Sequence, residues 1–256
     1  MMTDNDEGYD NGDSEVWAGE EESDDYVRSI YESLRNQSHT PPEKGWFIPD
    51  LALFHTSVSV VSGSRFSCTP RDYDQAPGDV PANHPVRAIS RLMHDAPDLS
   101  VVRIYAYSLT DPYVIDMIAH YARSKQVKII MHPDQHTIRR IQEFCNNTPT
   151  APDGSNPRHL FSRLVEIRAF PLDSPHCNEF TAMHGKSIIT ESLAVVGSYN
   201  LSVQARCKNR EFVYCVESTD VDKAEFDAEW QTLEGRKVDV WNADPKLFER
   251  ARKRKR

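Results

Sequence analysis

His184 and Lys186 stand two residues apart at the start of the segment MHGKSIITESLAVVGSYNLS (183–202), and Gly197, Ser198 and Asn200 close it. An imidazole is a nucleophile or proton carrier near neutral pH, and a lysine supplies a fixed point charge. Residues i and i+2 of a strand point to the same side, so His184 and Lys186 can meet one ligand while Ile189 points away. Gly197 lets backbone approach closely, and Ser198, Asn200 and the N–H groups of a helix start suit phosphate oxygens. The alternative is a solvated His and Lys at a hairpin start with Gly-Ser in a turn. Each pair alone favours that bland reading; both pairs in one hairpin favour a phosphate site.

The elements around this segment follow from periodicity. SIIT turns near Glu191 and Ser192, LAVV returns antiparallel, and Asn200 is expected to open the next helix. Upstream, HPVRAISRLMHDA reads as a helix with Pro85 in its first turn, and DPYVIDMIAHYARSK as a helix capped by Asp111. VVRIYAYS (101–108), VKIIMH (127–132) and VEIRAF read as buried strands, with the helix HTIRRIQEFCNN among them. EFVYCVES adds a strand, and VDKAEFDAEWQTL a helix whose Phe226, Trp230 and Leu233 share a face. Strand and helix alternating in this order predict an α/β sheet with right-handed crossovers.

The flanks differ from this body. Residues 1–24 read as an acidic disordered tail, and 25–84 as an extension packed on the core. That extension holds a helix (DDYVRSIYESLRNQ), a β-rich run (LALFHTSVSVVSG, 51–63) and a surface loop over 67–84. Residues 85–234 form the main domain, and 235–256 a C-terminal segment ending in RKRKR. The net charge of −9 is therefore an average over an acidic start, a basic end and a nearly neutral body, which by charge alone is no strong nucleic-acid binder. Five cysteines without C-x-x-C spacing read as reduced, buried residues; His176 beside Cys177 lacks a second ligand pair, so no metal is expected. No signal peptide and no apolar run of membrane-spanning length are read, which places the chain inside the cell, in cytoplasm or nucleus.

His184-x-Lys186, then an acidic residue, then Gly197-Ser198-x-Asn200 resembles the HxKxxxxD and GSxN signature of the phospholipase D superfamily. VVRIYAYSLTDPYVIDMIAHYARSKQVKIIMHPD resembles the family's strand–helix–strand unit with the Asp that follows it, here Asp134. CKNREFVYCVES resembles its N-x-E strand, giving Asn209 and Glu211, and FDAEWQTL its closing helix. The likeness spans about 85–234 and is greatest to the single-motif members, the bacterial Nuc endonuclease and mitochondrial cardiolipin hydrolase (Zucchini-like) groups. Two departures stand out. Glu191 replaces the motif's Asp, and the mitochondrial members' membrane anchor and N-terminal zinc site have no match beyond His55 and Cys68.

The resemblance implies a mixed sheet flanked by helices on both faces, with one catalytic module per chain. It also implies a metal-independent, cofactor-free displacement at a phosphodiester, in which one histidine forms a phosphohistidine and a second protonates the leaving oxygen. HTSVSVVSGS has His55 and a Gly-Ser but no Lys in place, and reads as a core strand rather than a second motif. The second histidine is then expected from another copy, through a two-fold homodimer. On this pattern His184 is nucleophile or acid/base, Glu211 accepts its Nδ1 proton, and Lys186, Ser198 and Asn200 hold phosphate. Glu191, Gly197, Asn209 and Asp134 give structural support. The substrate expected first is single-stranded RNA or DNA, gripped in part by RKRKR; cardiolipin or another phosphatidyl lipid is the alternative. A nucleic-acid-binding or scaffold protein with a weakened site is the third reading, for which Glu191 is the only support.

Overall fold

Val101–Ala106 (β2) is an interior strand of the sheet, with Val102 and Ile104 fully enclosed. Its apolar run pairs in parallel with Gln126–Met131 (β3), which pairs in parallel with Val165–Ala169 (β4). Parallel neighbours need a crossover, and between β2 and β3 it is the helix Pro112–Tyr121. The computed structural model describes residues 58–69, 80–132, 135–147, 164–169 and 184–236, all within one compact unit. The acidic tail, the helix expected near residue 30, His55, Asp134, Cys177 and the basic tail lie outside the described residues.

The other side of β2 is antiparallel. Lys186–Ile189 (β5), Leu193–Gly197 (β6) and Glu211–Glu217 (β7) follow in turn, and Arg65–Cys68 (β1) closes the edge. The result is a seven-stranded mixed sheet in the order β1-β7-β6-β5-β2-β3-β4. Helices are α1 (Pro85–Asp95), α2 (Pro112–Tyr121), α3 (Gln135–Asn147), α4 (Val203–Cys207) and α5 (Asp220–Thr232). Directly paired residues share a face, and Tyr105, Ser187, Val196 and Tyr214 are paired in sequence across the sheet. Helix α5 covers that face at Tyr105 and Ile130 with Phe226 and Trp230. Each of these aromatic burials contributes about 1.5–3 kcal/mol. Helix α1 packs on β1, β6 and β7 from the opposite side, where Val213 and Cys215 are buried. The expectation of helices on both faces holds.

Helix starts follow their caps. Asp111 accepts from the Tyr113 N–H at the start of α2, with Pro112 at the first position. The same carboxylate receives Arg206 Nε at 2.6 Å, tying α2 to α4 through a buried ion pair. Thr219 and Asp222 form a reciprocal capping box on α5.

Three local expectations fail. The described part of the 51–63 run, from Val58, contains no strand; Val58 and Val60 are buried, and the chain turns at Gly63, whose φ is +90°. The edge strand comes later, at Arg65–Cys68, its last two residues inside the stretch 67–84 read as loop. Only Phe66 and Cys68 face inward there, too short an alternation to register as a strand. Finally, Asn200 does not open a helix. Residues 198–202 run as a loop whose Leu201 carbonyl accepts from Thr110 and Asp111 N–H, and α4 begins at Val203 behind the cap Ser202.

Candidate functional site

The register of β5 against β2 sets the site. Lys186 pairs with Ala106, so the residues just before Lys186 meet those just after Ala106 beyond the end of the ladder. There the His184 ring meets the Tyr107 ring edge-on, with centroids 4.9 Å apart at 64°. Lys186 Nζ lies 5.2 Å from the centroid of the same ring and donates to the His184 carbonyl at 2.9 Å. Histidine and lysine therefore share one aromatic support, and His184 itself is exposed.

The second half of the motif closes on β7. Ser198 Oγ donates to Glu211 Oε2 at 2.5 Å and accepts from the Phe212 N–H at 3.2 Å. Asn209 Nδ2 donates to the other carboxylate oxygen, Oε1, at 2.9 Å. Glu211 is buried, with 6 % of its surface exposed, and both oxygens are satisfied. A buried carboxylate needs such donors to stay charged. Partial burial lowers the Lys186 pKa, and the Glu211 charge opposes that shift. Lys186 and Asn200 line one small crevice with Tyr107, Ser187, Tyr199 and Leu201. Within the described residues, Asn200 Oδ1 is buried without a hydrogen-bond partner, as is the Tyr199 hydroxyl. Lys186 and the Tyr199 hydroxyl can donate to an anion, whereas Asn200 Oδ1 can only accept; the Asn200 group that suits an anion is its NH2.

The predicted residues divide as follows. His184 and Lys186 come together on Tyr107, and Lys186 and Asn200 on the crevice. Ser198, Asn209 and Glu211 form one hydrogen-bonded cluster. That cluster differs from the expected role of Glu211: its described partners are Ser198 and Asn209, and His184 is not among them. Gly197 also has another reason than ligand approach. A Cβ there would lie 2.2 Å from the Phe212 carbonyl oxygen and 2.8 Å from Val213 Cα, so glycine is what lets β6 pass β7. Glu191 sits in the β5–β6 turn, away from this cluster. It pairs with Arg103 at 3.4 Å and with Lys223 at 3.7 Å, and Lys223 also donates to its carbonyl at 3.1 Å. These contacts tie the β5–β6 turn to β2 and α5. Tyr107 and His132 were missed. Both read as ends of apolar strands, and nothing in their spacing marks them. Among the described residues, no group of three or more His, Cys, Asp or Glu is placed to hold a metal ion, and no helix is long and apolar enough to cross a membrane.

A family model described as cardiolipin synthase, PLD-like domain, matches residues 89–232. The chain belongs to this phospholipase D-like family. No curated protein matches it in sequence. Among solved structures it is similar to NucT from Helicobacter pylori (17 % identity, TM-score 0.43, 60 % of this chain and 89 % of that one). It is also similar to Nuc from Salmonella typhimurium, a phospholipase D family member (19 % identity, TM-score 0.44, 69 % of this chain and 96 % of that one). A third similar structure is the phosphatidylserine synthase of Haemophilus influenzae (13 % identity, TM-score 0.45, 75 % of this chain but 44 % of that one).

Proposed function

We propose that this protein is a metal-independent phosphodiesterase that cleaves single-stranded nucleic acid through a phosphohistidine intermediate. The observation that carries the reading is the convergence of Lys186 and Asn200 on one crevice lined by Tyr107, whose ring also meets exposed His184. In the first step a His184 imidazole nitrogen attacks phosphorus and the P–O bond to the leaving group breaks, while a second histidine gives that oxygen a proton. In the second step the same histidine takes a proton from water, whose oxygen displaces His184 from phosphorus. Lys186 and Asn200 hold the non-bridging oxygens, with Ser198 fixed next to them by Glu211 and Asn209.

The second histidine comes from another copy of the chain. Among the described residues His184 is the exposed histidine of the site, and His132 is buried behind Tyr107. A two-fold homodimer with a shared site supplies the missing group without further sequence. Lipid phosphodiesters are the competing substrates, a reading favoured by the description of the matching family model.

One assay separates the alternatives. The protein and His184→Ala are incubated in EDTA with labelled single-stranded RNA, single-stranded DNA and cardiolipin vesicles. EDTA-resistant cleavage of nucleic acid that disappears in the variant is expected. Release of phosphatidic acid alone would reassign the substrate to lipid, and binding without turnover would make the chain a binding protein. Sedimentation that finds only monomer at working concentration would sink the shared site.

A further inference from the structure

We propose that Tyr107 is the positioning residue of this site, its ring holding His184 in attack orientation and Lys186 at the phosphate. The inference rests on the phosphodiesterase reading above. Among the described residues no hydrogen bond holds the His184 ring. An exposed imidazole on a strand end would otherwise turn freely about its side-chain bonds, and that freedom must be lost before it attacks phosphorus. The contact that limits it is with the Tyr107 ring, the two centroids 4.9 Å apart. Lys186 is held similarly, its ammonium 5.2 Å from the centre of that ring. A cation near an aromatic face is attracted by the ring quadrupole, more strongly where water is partly excluded.

Tyr107 can serve as a fixed support because it is itself supported. Its ring stacks on His132, with centroids 5.2 Å apart at 20°. His132 is buried, and its N–H donates to the Ala106 carbonyl at 3.0 Å. Position is thus passed from the end of β3 through His132 to Tyr107, and from Tyr107 to both reactive side chains. All three contacts involve the aromatic ring. The ring and not the hydroxyl is therefore the working part, and phenylalanine should replace tyrosine.

The test compares Tyr107→Phe with Tyr107→Leu, using bis(p-nitrophenyl) phosphate turnover and the NMR shifts of the His184 ring protons. Tyr107→Phe is expected to keep kcat within about 2-fold and leave the His184 resonances nearly in place. Tyr107→Leu is expected to lose about 10- to 100-fold in kcat, the scale of a slightly misplaced reactive group, with a smaller change in KM. Its His184 resonances should move, because the neighbouring ring current is gone. Should Tyr107→Leu fail to fold, Tyr107→Met, flexible and apolar, takes its place with the same expected outcome. Unchanged kcat and His184 shifts in the Leu or Met variant would overturn the proposal. So would equal damage from Tyr107→Phe, which would assign the role to the hydroxyl. The NMR measurement needs no substrate. If the unsubstituted protein turns over no phosphodiester while the shifts still move in Tyr107→Leu, the catalytic reading fails and with it the positioning role, and only the contact of the two rings stands.

Discussion

A single methyl group decides whether β6 can lie beside β7. The Phe212 carbonyl would be 2.2 Å from a Cβ at Gly197, and backbone cannot swing aside as a side-chain tip can. Gly197→Ala is expected to destabilise the fold by about 2–3 kcal/mol, the scale of forced overpacking, measured by urea denaturation. It should also disturb Ser198, whose N–H donates to that same carbonyl at 3.0 Å. This residue shows how far the sequence could be read. His184, Lys186 and Asn200 were legible because strand alternation and short spacing bring them together before any tertiary contact is known. The glycine was legible as a required letter, but its close neighbour was not, since that neighbour is a strand 15 residues further along. Tyr107 was not legible at all. Its role depends on a register between β2 and β5, which are far apart in the chain.

Helix α2 carries a buried carboxyl group with one oxygen left open. Asp116 is buried, its Oδ2 has no hydrogen-bond partner among the described residues, and burial pushes its pKa up to about 7. The folded state therefore holds a proton that the unfolded chain releases near pH 4. The helix is favoured most below that point, and the stability is lost as pH rises toward and through 7. Asp116→Asn is expected to raise stability at pH 8 by about 1–3 kcal/mol, with the gain vanishing toward pH 4. Denaturation curves at the two pH values check this. At this scale the long elements were legible: apolar strands and helices with Pro at the first turn declare themselves locally. The edge strand β1 did not, because a four-residue strand with two inward positions gains its identity only from β7.

Across the whole molecule, the family match and the sheet do not begin at the same residue. The match starts at 89, whereas the sheet starts at Arg65. Strand β1 pairs Cys68 with Glu211 and Arg65 with Tyr214, and Gly63 and Ser64 extend the contact to Cys215. A fragment cut at residue 85 would keep every motif residue and still lose this cover. The backbone of β7 would become an open edge, beside Phe212, Tyr214 and Val216, already exposed by 40, 42 and 37 %. Uncovered strands of this kind recruit one another. Light scattering should find fragment 85–236 associating into large particles, where the full chain stays small. The short strand at residue 65, silent in the sequence, thus acts as a seal against aggregation.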